Sequence, residues 1–158
     1  MNMFEQIYEK VQQAKVVYRE AESDEEKDKA RWLYRSAVEK AEQQCKGAAC
    51  VWYDYENSRD CGNERLDISA ILWEREVPEI VSCLKRNNIE SFTFSATYTS
   101  AIETAWMFQK EGYVLAGMVE VNSKSKDNDG NYQKRPALLF AKIVKTDRQR
   151  AEELLKLL

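Results

Sequence analysis

The sequence predicts an α+β fold: a small, mainly antiparallel sheet of three or four strands, covered by helices and preceded by a two-helix hairpin. Three observations carry this. Residues 91–144 read as strand, helix, strand, hairpin loop and strand, with chemically marked boundaries. Residues 2–46 carry two amphipathic helical patterns joined by a short turn. Only two prolines and five glycines interrupt the 158-residue chain, which suits compact helices and a small sheet.

The first helix is expected over 2–21, where Phe4, Ile7, Tyr8, Val11, Ala14 and Tyr18 recur at helical spacing. Ser23 and Glu26 form a capping box that opens a second helix running toward Lys46-Gly47. Its stripe is Ala30, Leu33, Ala37 and Ala41, small enough for close helix approach but poor in buried area. The hairpin of residues 1–47 therefore needs a further surface, and residues 48–158 are expected to form the α+β domain. Cys50–Glu56 reads as a strand and Asn57–Glu64 as a turn. Asp67 suits the N-cap of a helix from Ile68, with Pro78 either kinking it or opening a new one, and Asn87-Asn88 ending it. Ser91-Phe-Thr-Phe-Ser-Ala-Thr97 alternates aromatic and hydroxyl residues with the period of a half-buried strand. Ser100 with Glu103 caps the next helix, and Gly112 suits its left-handed end. Strands follow over Tyr113–Val121 and Ala137–Val144. Thr146 with Gln149 opens a last helix whose Ala151, Leu154, Leu155 and Leu158 are expected to dock on the core.

Composition limits the chemistry. With 24 basic and 27 acidic residues, the chain is neither a basic nucleic-acid binder nor a strongly acidic polyanion mimic. Histidine is absent, which excludes Ser-His-Asp and Cys-His catalysis and every histidine-containing metal site. Cys45, Cys50, Cys61 and Cys83 lack the two-residue spacing of zinc knuckles and redox motifs, and no phosphate-cradling glycine motif is present. No cofactor and no metal are expected. No apolar run is long enough to span a membrane, and no basic region followed by an apolar run opens the chain, so a cytoplasmic setting is expected.

Two constellations suit recognition. Trp52-Tyr-Asp-Tyr-Glu56, with Asp60 beyond it, interleaves aromatics and acids as a contact for a basic protein surface does. Tyr53, Tyr55, Glu56 and Asp60 are the expected partner-binding residues, although a half-buried strand would use the same pattern for core aromatics and solvated acids. Lys124, Lys126, Lys134 and Arg135 flank the Asp127–Asn131 loop and could contact phosphate, or simply solvate the loop. That loop is a turn and not a calcium site: with Gly130 at the sixth position, Pro136 stands where the closing glutamate belongs. Glu74, Glu76 and Glu79 beside Trp73 are a weaker, carboxylate-pair candidate for catalysis.

The stretch Ser91-Phe-Thr-Phe-Ser, Thr104-Ala-Trp106, Gly112-Tyr113, Gly117 and Arg135-Pro-Ala-Leu-Leu-Phe140 resembles small uncharacterised proteins of Firmicute phages and mobile elements. Such proteins include anti-CRISPR inhibitors. The resemblance implies a binding function and transfers no residue role. The sequence thus points to a non-enzymatic binding protein, an inhibitor of a host nuclease effector being its sharpest form. A homo-oligomeric structural or regulatory module, for instance a homodimer through the N-terminal helices, is the alternative, and a histidine-free enzyme the third.

Overall fold

A computed structural model describes residues 2–45, 47–142, 151–152 and 154–157. It has the expected α+β architecture. Helices α1 (Met3–Glu20) and α2 (Asp24–Cys45) form the hairpin, followed by α3 (Ala49–Asp60), β1 (Asp67–Ile68), a 3-10 turn at Glu74–Glu76 and α4 (Val77–Arg86). Then come β2 (Ser91–Phe94), α5 (Ala101–Lys110), β3 (Tyr113–Lys126) and β4 (Tyr132–Lys142). The sheet order is β1-β2-β4-β3, with β1 parallel to β2 and the other two pairings antiparallel.

Helix ends follow local chemistry. Asn2 Oδ1 accepts from the Glu5 amide, and Ser23 Oγ accepts from Glu26 while the Glu26 carboxylate accepts from the Glu22 amide. Ser100 caps α5 through the Glu103 amide, and Gly112, with φ of 98°, ends it. The Asp127–Asn131 turn is closed by the Asp127 carboxylate, which accepts from the amides of Asp129 and Asn131.

Three expectations are corrected. Cys50–Glu56 is helical, not extended, because the buried positions from there to the helix C-cap are Val51, Trp52, Asp54, Tyr55, Ser58 and Cys61, a helical stripe completed by polar groups. Residues 68–73 are not a helix. Ile68 pairs with Phe94, the Asp54 carboxylate takes the amides of Ser69 and Ala70, and Glu76 takes those of Leu72 and Trp73. Side chains thus satisfy the donors a helix would need. The helix starts later, with Pro78 in its first turn. Finally, Leu154 and Leu155 are helical but 64% and 69% exposed. Thr146, Gln149 and Leu158 lie outside the described residues.

One apolar core joins hairpin and sheet. Phe4, Ile7 and Val11 of α1 and Ala37, Ala41 and Cys45 of α2 pack with Val51, Trp52 and Tyr55 of α3. Beneath the sheet, Phe92 lies 4.9 Å from Phe108, 5.1 Å from Tyr113 and 5.3 Å from Phe140, ring centre to ring centre. The hairpin base is therefore part of the body, while its distal half, from Ala14 to Ala30, extends beyond it. No described helix is long and apolar enough to cross a membrane.

A polar cleft as candidate functional site

Strand alternation divides the sheet chemically. Phe92 and Phe94 enter the aromatic core, so Thr93 and Ser95 face the other way. Asp67 pairs with Thr93, and Leu139, which also pairs with Thr93, is four residues from Arg135 on the same face of β4. Across this polar face lies α3, bringing Asp54 and Ser58. Between them opens a cleft of about 320 Å³, lined also by Tyr53, Ser69, Tyr98 and Lys124.

Two buried carboxylates hold the cleft walls. Asp54 accepts from the Ser69 amide at 3.0 Å, the Ser69 hydroxyl at 3.0 Å and the Ala70 amide at 3.1 Å. Asp67 accepts from Thr93 Oγ1 at 2.7 Å and Ser95 Oγ at 2.5 Å, with one Arg135 nitrogen at 3.5 Å. Ser58 links the two: its hydroxyl donates to the Asp54 carbonyl at 2.6 Å and accepts from the Asp67 amide at 2.8 Å. All four carboxylate oxygens are therefore engaged by fixed donors. The cations are not. Arg135 keeps 38% of its side chain exposed and leaves Nε without an acceptor. Lys124 reaches only the Tyr53 phenol, which it pulls below the usual tyrosine range.

Burial pushes the Asp54 carboxyl from 3.8 up to about 6, against the hydrogen bonds from Ala70 and Ser69. The folded chain then holds this proton more tightly than the unfolded chain. The resulting stability is fully present below the unfolded pKa and is lost as pH rises through about 6. Relative to Asp54→Asn, the native chain should gain about 1 kcal/mol between pH 7 and pH 5. Urea denaturation of both at the two pH values checks this; parallel pH profiles would contradict it.

The structure sorts the sequence-derived candidates. Tyr53, Lys124 and Arg135 meet in the cleft. Tyr55 does not serve as a contact: it is 6% exposed between Phe4 and Trp52, and burial pushes its phenol up to about 12. The helix turns it inward where a strand would have paired it with Tyr53. Glu56 is half-buried, and Asp60, exposed, accepts from the Tyr8 hydroxyl at 2.7 Å. Lys126 lies over the Tyr132 ring, and Lys134, exposed on β4, is not among the residues lining the cleft. Of the paired glutamates, Glu74 accepts from the Ser100 amide and Glu76 caps the turn before α4, so both act as backbone caps. Sequence reasoning placed Asp54 within the Trp52–Glu56 constellation but missed Asp67, Ser58 and Ser95 as site residues, for which the signal was the hydroxyls alternating with Phe92 and Phe94. Among the described residues, no three of His, Cys, Asp and Glu are placed to hold a metal ion.

These features define an α+β domain with a polar cleft between a helix and the hydroxyl-bearing face of its sheet. Residues 50–142, more than half of the chain, match DUF7698, a domain of unknown function, and the chain belongs to that family. The match begins beyond the N-terminal hairpin and includes every residue named above as lining the cleft. No curated protein and no solved structure matches the chain.

Proposed function

We propose that this protein works by binding and not by catalysis, and that the cleft receives the anionic group of a phosphate monoester. One observation carries the reading: the cleft's carboxylates are fully hydrogen-bonded while its two cations retain free donors. Each oxygen of Asp54 and Asp67 accepts from a donor within the protein, so both carboxylates serve to hold the cleft together. An arginine has five N–H donors in a rigid fork suited to phosphate, and Arg135 uses one of them in a long contact. Thr97, Ser123 and Ser125 add hydroxyls around it, and Tyr98, 75% exposed, offers a ring at the rim. The volume suits a ligand at the small end of the usual range.

The narrower expectation, a basic nuclease effector held by Tyr53, Glu56 and Asp60, is less well supported. Lys124 lies over Tyr53 and Arg59 over Tyr8, so that face carries cations as well as acids.

Glycerol phosphate at low salt, at about ten times its dissociation constant, should raise the melting temperature by roughly 3 °C. The paired change Lys124→Met and Arg135→Gln should abolish the rise. An equal rise in the double variant, or none in the native chain, would refute the assignment.

A further inference from the structure

The distal half of the hairpin carries a second, chemically different surface. Between α1 and α2 runs a groove of about 570 Å³ whose floor is Ala14 and Ala30, 2% and 1% exposed. Tyr18, Tyr34 and Val38 form its apolar walls. Its rim holds Lys15, Arg19, Arg31 and Arg35, and no acidic side chain lines it. Arg31 is partly engaged, meeting Asp28 at 2.9 Å and the Tyr18 hydroxyl at 3.3 Å, but the pair is exposed and worth little. At one end Gln12, also lining the groove, has a buried amide nitrogen with no acceptor.

We infer that this groove docks an acidic amphipathic helix of another protein. Two antiparallel helices leave a furrow that a third helix fills, with its apolar stripe between the Tyr18, Tyr34 and Val38 walls. Acids flanking that stripe meet the four cations. The charge decides between occupants. A second copy of this chain, laid symmetrically on the same groove, would bring four cations against four. The alanine stripe of α2, which a helix-mediated homodimer was expected to use, is buried inside the protomer, with Ala30, Ala37 and Ala41 at 1%, 7% and 0% exposure. Nucleic acid would meet the cations but has no use for an apolar floor.

The test uses the full chain and a designed helical peptide of about four turns, with leucines at positions i, i+3, i+4 and i+7 and glutamates on both flanks. Fluorescence anisotropy should show saturable binding that weakens with salt. Arg19→Glu with Arg35→Glu, both exposed, should weaken it about tenfold with an unchanged circular dichroism spectrum. Lys124→Met, in the separate cleft, should leave it unaltered. Absence of binding, equal binding of the same peptide with lysine for glutamate, tighter binding of a single-stranded oligonucleotide, or self-association that occludes the groove would each overturn the inference.

Discussion

Phe92→Ala should lower the unfolding free energy by about 3–5 kcal/mol, a large part of the stability of a domain this size. Phe92 is fully buried and is the shared neighbour of Phe108, Tyr113 and Phe140. Its removal leaves a cavity that three rigid rings from α5, β3 and β4 cannot close together. Phe92→Leu, which keeps most of the volume, should cost about 1–2 kcal/mol. Urea denaturation measures both; a loss below about 1 kcal/mol for the alanine variant would mean that this cluster does not organise the sheet.

The second large effect is expected on the polar face. Asp67→Ala should destabilise by about 3–4 kcal/mol, because it strands several buried donors at once. Most of that loss should come from Thr93 and Ser95, whose hydroxyls lie at 2.7 and 2.5 Å, and little from Arg135. The guanidinium is 38% exposed and 3.5 Å away, so solvent screens the pair. A double-mutant cycle separates the contributions: coupling of Asp67 to Thr93 should exceed its coupling to Arg135. The reverse order would show that Arg135 is held in place by Asp67, and its donors would not be free for a ligand.

The fold was more legible than the site, for a physical reason. Alternation at Ser91–Thr97, the capping residues Ser23 and Ser100, and the turn at Asp127–Asn131 act over a few residues and leave their mark locally. The cleft is made by distant pairings. Asp67 meets Ser95 across 28 positions, and Lys124 meets Tyr53 across 71. Asp67, which local pattern assigns to a helix N-cap, is claimed by hydroxyls of a neighbouring strand. Asp54 and Ser58 hid α3 for the same reason: a helical stripe completed by buried polar residues has no apolar period. The C-terminal leucines show the converse, an apolar period whose Leu154 and Leu155 stay exposed.

The central claim is that Arg135 has donors to offer in the cleft, and the ¹⁵N–¹H signal of its terminal guanidinium nitrogens reads this directly. Addition of glycerol phosphate should shift that signal together with the amides of Ser69 and Ser95, saturating with a common dissociation constant, while the Arg19 and Arg35 signals of the hairpin stay in place. An Arg135 signal that does not move while those of the hairpin arginines do would contradict the account.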